Sequence, residues 1–352
     1  MNALILKTKP YSIFRLGAGS LNETDEIIHS DTLFAALINT HSKIFDNTEG
    51  FIKLFEKGEI KISSAFPMLT NKSGSNIYFL PKPELDYVAD SNIKEEKKIK
   101  FISAGVFNYL QSNIQDDQKI RVSFTDKNYF SIIGSSYVVT KDELNYNNPI
   151  NNFIAEIVTP KTKVHSESQD DSFYHETDIQ LTPVNLKGKE ENQILTPHFY
   201  FMFELKCNEE EKSDFFTCLR VLVNEGIGGE RSAGKGLFED LVESEIKINL
   251  NEPAKTQMLI SIFNPKTQNE FDSLSYYEVI IRGGGSIGLD TEKDEDELKP
   301  EYSKYRKKQV RMIAEGAVAN SNLEGRLVNV TPEDGSNHQV FRNGKAFTIP
   351  LG

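Results

Sequence analysis

Residues 225–236, Glu-Gly-Ile-Gly-Gly-Glu-Arg-Ser-Ala-Gly-Lys-Gly, hold five glycines and two cations. Glycine at that density permits positive φ and removes Cβ bulk, so neighbouring N–H groups can converge on an anion while Arg231 and Lys235 add charge. The chemistry this predicts is a phosphate cradle built from Gly226, Gly228, Gly229, Arg231, Ser232, Gly234, Lys235 and Gly236. The plainer alternative is a flexible connector with two solvated basic side chains. Residues 229–236 come within one residue of the P-loop pattern G-x-x-x-x-G-K-[ST], with Gly236 standing where the magnesium-binding hydroxyl belongs. A P-loop leaves a strand and opens a helix, whereas this segment follows a helical pattern and precedes a strand, so nucleotide hydrolysis is not expected. Gly283, Gly285 and Gly288 spell G-x-G-x-x-G, but an acidic polar stretch follows them instead of a helix, which argues against a dinucleotide site.

Among groups that could move protons, His29 stands out because unperturbed imidazole titrates near neutrality. It has no evident partner set of lysine, tyrosine and a second histidine, and no catalytic residue is expected. Cys207 and Cys218 lack paired C-x-x-C spacing, which argues against a thiolate metal site or a disulfide framework. Neither a metal nor a cofactor is expected.

The elements that must position the loop are legible in part. Residues 2–8 alternate as a first strand, and Gly17 and Gly19 then break the chain. Ser30 suits a helix N-cap, with Asp31 in the first turn and Leu33, Phe34, Leu37, Ile38 and His41 at helical spacing. A second helix is predicted over 48–57 and a strand over 59–63. Residues 77–83 read as an extended segment kept off a central sheet position by its prolines. Residues 101–110 read as helical, and 159–180 as a long exposed loop or projecting hairpin. In the second half, Phe199, Phe201, Phe203 and Leu205 alternate in a strand over 198–207. A helix follows over 208–224, opened by Glu209, Glu210 and Glu211 and stopped by Gly226. Strands are predicted over 237–250, 257–263 and 276–282. The order strand, helix, glycine loop, strand, strand suits half of a ferredoxin-like sheet. The expected architecture is α+β, with one domain over residues 1–194 and a second over 195–352.

Bulk composition bounds the rest. A chain of 352 residues, 38% hydrophobic and without tryptophan, is globular and long enough for two cores. No stretch has the apolar length of a spanning helix, and residues 1–9 lack the apolar core of an export signal, so a cytoplasmic protein without membrane contact is expected. The net charge of −12 argues against a free-standing, non-specific nucleic-acid binder. Charge is nevertheless sorted along the chain, with acids massed over 287–297 and Lys299, Lys304, Arg306, Lys307, Lys308 and Arg311 gathered over 299–311.

The segment Gly-Ile-Gly-Gly-Glu-Arg-Ser-Ala-Gly-Lys-Gly at 226–236 resembles the signature glycine-rich loop of the RAMP superfamily of CRISPR-associated proteins. Further segments are similar, in order along nearly the whole chain, to subunits of type III-A (Csm) interference complexes that hold the 5′ handle of the guide RNA (crRNA). They are His-Ser-Asp-Thr-Leu-Phe-Ala-Ala-Leu at 29–37, Tyr-Phe-Leu-Pro-Lys-Pro at 78–83, Gln-Val-Arg-Met-Ile-Ala-Glu-Gly at 309–316 and Val-Phe-Arg-Asn-Gly-Lys-Ala-Phe at 340–347. The chain departs from the pattern around Arg15 and Gly17, where a histidine is often expected.

The resemblance implies a pair of ferredoxin-like domains and a scaffold role without nuclease or cyclase chemistry. It implies contacts with the crRNA handle, with the large polymerase-like subunit and with a backbone RAMP subunit, target RNA being touched only indirectly. It also implies a hairpin that distorts the guide–target duplex, placed at 159–180 with Lys161, Lys163, His165 and Tyr174. Candidate RNA contacts then extend to Arg15, Ser30, Lys163, His165 and Arg282, with Phe14, Tyr78 or Phe238 as stacking faces. Two alternatives remain open: a metal-independent endoribonuclease of the same superfamily using His29, and an adaptor that binds proteins only.

Overall fold

The computed structural model describes residues 1–17, 23–87, 93–114, 119–120, 122–146, 148–163, 172–187, 192–250, 254–284, 307–332 and 339–352. Strand β1 (Asn2–Lys7) carries four successive buried residues from Ala3 to Leu6, because it is covered on both faces. After β2 (Ile13–Phe14) come α1 (Ser30–Ile44) and α2 (Thr48–Lys57), the latter closed by Gly58 in the left-handed region. Next are β3 (Ile60–Ile62), β4 (Phe66–Asn71) and β5 (Asn76–Pro81). β6 (Phe101–Ser103) runs directly into α3 (Ala104–Gln111), whose first turn is capped by the Ser103 hydroxyl. A helix alone was expected there. Phe101, Ile102 and Ser103 pair with β5 instead, so the sheet claims the first turn's worth of residues.

β7 (Phe130–Ile133) and β8 (Tyr137–Thr140) follow, then the hairpin β9 (Ile154–Lys163) and β10 (Ser172–Leu181). β11 (Val184–Lys187) and β12 (Asn192–Leu205) lead into α4 (Glu209–Glu225) and β13 (Asp240–Glu245). The Asn208 side chain and Glu211 form a reciprocal capping box at the start of α4, which explains the sharp helix onset after the β12 alternation.

The main sheet has ten strands in the order β13-β1-β12-β4-β5-β6-β8-β7, with β3 and β11 also paired to β12. Its first four strands are mutually antiparallel, and α1 and α4 supply the crossovers. That is the strand order of a ferredoxin-like βαββαβ unit. The α+β class read from the sequence is borne out, and residues 198–245 take a definite place within it. The strand, helix, glycine loop and strand expected to open a second sheet close the first one. A division between residues 194 and 195 falls inside β12, which pairs with β1, β3, β4 and β11.

β5 also departs from expectation, having neighbours on both sides in β4 and β6. Pro81 is its last residue, so the missing N–H interrupts no interior rung.

The C-terminal elements are strands but for one short helix: β14 (Gln257–Leu259), α5 (Gln268–Asp272), β15 (Leu274–Tyr276), β16 (Val279–Arg282), β17 (Val310–Ile313), β18 (Val318–Ala319), β19 (Gly325–Asn329), β20 (Phe341–Lys345) and β21 (Thr348–Pro350). They form a four-stranded sheet ordered β15-β18-β14-β21 and the ribbons β16–β17 and β19–β20. Met258, Ile260, Val318, Phe347 and Ile349 join the large apolar core, so this region is packed onto the main sheet.

Candidate nucleic-acid interface

Gly226 ends α4 with φ of 77°, and the glycine loop then folds back on itself. The Ile227 N–H donates to the Gly236 carbonyl at 2.9 Å, the Gly236 N–H to Ile13 of β2 at 2.8 Å, and the Gly229 N–H to Arg15 at 3.1 Å. Gly236 has φ of 73°, and a Cβ there would lie 1.9 Å from the Ile227 oxygen. At Gly228, with φ of 97°, a Cβ would lie 2.5 Å from the Arg15 oxygen. The glycines therefore allow the loop to lie against β2, and several of their amides are spent in doing so. Within residues 226–236, the N–H groups with no acceptor among the described residues are those of Gly228, Glu230, Arg231 and Ser232, at the exposed bend.

The hairpin reaches the same place from another direction. β10 pairs with β2 through Ile179 opposite Phe14 and Gln180 opposite Ile13. Alternation along β10 puts Tyr174, Glu176 and Asp178 on one face with Lys161 of β9. One oxygen of Glu176 lies 2.7 Å from the Arg15 guanidinium, 2.7 Å from Lys161 and 3.7 Å from Lys235. Lys235 also bonds Asp178 at 2.7 Å, and Lys161 lies 3.6 Å from Glu230. Burial pushes the Glu176 carboxyl up, but its bond to Lys161 and the charges of Arg15, Lys161 and Lys235 outweigh this and hold it below its ordinary value. Arg231 sits half-buried on the bend and makes no ion pair among the described residues. The opposite face of the hairpin presents Val158 at 58% and Phe173 at 65% exposure, with His175 edge-on to the Phe173 ring.

The structure thus brings together Gly226, Gly228, Gly229, Arg231, Ser232, Gly234, Lys235, Gly236 and Arg15 from the expected set. It removes Ser30 and Arg282 from any RNA surface. Ser30 is fully buried as the first residue of α1, donating its N–H to Ser64 and accepting the Ile262 N–H on its hydroxyl, while His29 takes the cap position. Arg282 is buried against Asp31, Asp25 and Thr32. The Lys163 side chain and His165 lie outside the described residues. Phe14, Tyr78 and Phe238 are core, with the Tyr78 hydroxyl 2.6 Å from Ser244. Sequence reasoning missed the acids Glu176 and Asp178; their spacing of two on a strand was the available signal.

His29 belongs to a separate, buried network. Its Nδ1 lies 2.8 Å from Glu315 and its Nε2 3.5 Å from Asp25. Burial alone pulls the imidazolium pKa down, but the Glu315 charge and the hydrogen bonds to Asp25 and Glu315 prevail and raise it to about 9. The ring is an ion-paired cation joining α1 to the C-terminal region. Because its folded pKa lies above the unfolded value of 6.5, its stabilisation is complete below pH 6.5 and is lost as pH rises through about 9. Denaturant titrations across that window should show a loss on the order of 3 kcal/mol in the wild type and a flatter profile for His29→Gln. Parallel profiles would show that the pair does not govern this pH dependence.

Comparison with known proteins places these features in a family context. Residues 252–351 match the CRISPR Csm4 C-terminal domain. A curated Csm4 of Methanocaldococcus jannaschii is 26% identical, with the alignment spanning 100% of this chain and 98% of that protein. The Csm4 of Thermococcus onnurineus is 25% identical over 93% of this chain and 92% of its own. A chain of the crystal structure of the Csm3–Csm4 subcomplex from the type III-A interference complex shares the fold with a TM-score of 0.66 at 21% identity, each chain covered completely. A chain of a Csm1–Csm4 cassette crystallised with pppApA gives 0.56 at 17% identity, covering 100% of this chain and 97% of that one.

Proposed function

From the premise that the chain is a Csm4-like RAMP subunit, we propose that it binds the 5′ handle of the crRNA and caps a type III-A effector complex as a structural subunit. One observation carries the reading. Arg15, Lys161 and Lys235, drawn from three separate segments, meet around Glu176 where the glycine loop, β2 and the hairpin converge, and Arg231 lies four residues before Lys235 on the same loop. The two buried carboxylates fix three of the cations in place, which leaves Arg231 without an ion pair and the N–H groups of Gly228, Glu230 and Ser232 without acceptors among the described residues.

Such an arrangement suits a bent single strand held by its phosphates, with the exposed hairpin face available to bases. The pairing of Csm4 with Csm3 and with Csm1 in the solved complexes supports analogous neighbours here, a backbone RAMP subunit and the large subunit. Target RNA would be reached through the guide and the hairpin. A structural role is further supported by His29, which is buried and engaged by two carboxylates. None of the described helices is long and apolar enough to cross a membrane, in keeping with a cytoplasmic complex. In this reading residues 254–352 form a second unit apposed to the first sheet.

Photo-crosslinking of a 4-thiouridine-substituted guide in the assembled particle tests the proposal. Crosslinks from handle nucleotides to residues 226–236 are expected. Handle crosslinks confined to other subunits would leave this chain as an adaptor.

A further inference from the structure

β13 ends the main sheet. It pairs with β1 on one side, and among the described residues no strand pairs with it on the other. Met1 and Ile246 exchange both backbone hydrogen bonds, which sets the alternation of the ladder. Ser244, Val242 and Asp240 therefore bond towards β1, while Leu241, Glu243 and Glu245 turn their N–H and C=O groups outward. The Leu241 N–H is taken by the Asp240 carboxylate at 2.8 Å, leaving the outward groups of Glu243 and Glu245 open.

Beside this edge runs a groove of about 320 Å³ between β13 and α4. Leu4, Phe216, Val223 and Leu241 give it an apolar floor. Its strand-side rim is acidic: residues 239–245 read Glu-Asp-Leu-Val-Glu-Ser-Glu and include no cation. Glu239, Asp240, Glu243 and Glu245 are exposed and form no ion pair among the described residues. Arg220 is the cation on the helix side.

We propose that this groove receives an extended, basic segment of a partner protein, which adds a strand to β13 and sets alternate lysine side chains, stems on the floor and ammonium groups on the acidic rim, beneath α4. An open edge supplies main-chain hydrogen bonds, and a helix facing it supplies pockets for every second side chain. Charge selects the occupant. Leu4 lies opposite Glu243, so Leu241, Glu243 and Glu245 share the α4 face with the floor. The carboxylates repel nucleic-acid phosphate, and a second copy of β13 would set acid against acid, whereas lysines on that face lay aliphatic stems on the floor and ammonium groups on the rim, with valines between them beside Val242 on the other face. The surface is distinct from the glycine loop and hairpin, so it stands or falls independently of RNA binding.

The test uses the full chain and a fluorescein-labelled heptapeptide, acetyl-Lys-Val-Lys-Val-Lys-Val-Lys-amide, followed by fluorescence anisotropy at physiological salt. A second peptide of identical sequence carries N-methyl groups on the amides that would face β13. We expect the methylated peptide to bind at least about tenfold more weakly, since it keeps charge and apolar content but loses the main-chain bonds. We also expect slowed amide exchange at Glu243 and Glu245 with the unmethylated peptide. Equal binding of the two peptides would reduce the effect to charge alone and overturn the proposal. Absence of binding by either would identify the acids as a guard against edge pairing and overturn it equally.

Discussion

Arg231→Ala should weaken binding of a handle RNA by about 10- to 100-fold in the assembled particle and leave the chain's melting temperature nearly unchanged. Arg231 lies on the outward bend without an ion pair among the described residues, so its removal costs the fold little. A charge-assisted hydrogen bond to phosphate contributes about 1.5–3 kcal/mol, which sets the size of the affinity loss. The slope of log affinity against log salt should become shallower by about 0.7, the value for one counterion released from a single strand. Lys235→Ala should behave differently. That lysine is anchored to Asp178 at 2.7 Å, and Asp178 is only 3% exposed. Its loss leaves a buried carboxylate short of its cation and should lower thermal stability before it alters the salt slope. Filter-binding across a salt series, paired with thermal melts of both variants, reads the two effects separately. An unchanged slope for Arg231→Ala would remove the loop from the RNA path.

The contrast between these two cations marks what the sequence can convey. Glycine density at 226–236 announced a loop in which the backbone must approach something closely. Part of that closeness is to the chain itself, namely Ile227, Ile13 and Arg15. Local signals were reliable where a short-range rule applies: the acid-rich first turn of α4 became a capping box, and the phenylalanine alternation became β12. Long-range pairing was beyond reach. Nothing within 198–245 says whether that strand, helix and strand open a new sheet or complete one begun at residue 2, because the choice depends on partners about two hundred residues away. The same holds for Lys161, Glu176 and Lys235, which meet only once the hairpin root has docked on β2.

The segment at 29–37 shows the point most sharply. Its His, Ser and Asp suggest a helix start with a proton donor and an RNA contact, but all three serve a buried junction with the C-terminal region. Asp31 has no exposed side-chain surface and is held by Arg282, through Nε at 3.2 Å and a second nitrogen at 3.1 Å, and by Arg342. Burial pushes its carboxyl up, yet the charges of Arg282 and Arg342 hold it well below the usual carboxylate range. Asp31→Ala should therefore cost about 3–5 kcal/mol, since two buried guanidinium groups lose their shared counterion, and urea denaturation should show a much earlier midpoint. If that variant does not accumulate as folded protein, the triple replacement Asp31→Leu, Arg282→Met and Arg342→Met resolves the cause. A buried ion cluster replaced by apolar groups of similar volume is close to neutral, and Asp25, which also pairs with Arg282, keeps His29 as a partner, so the triple variant should regain most of the lost stability. An Asp31→Ala midpoint equal to that of the wild type would show that the junction is held by its apolar packing and that the ion cluster contributes little.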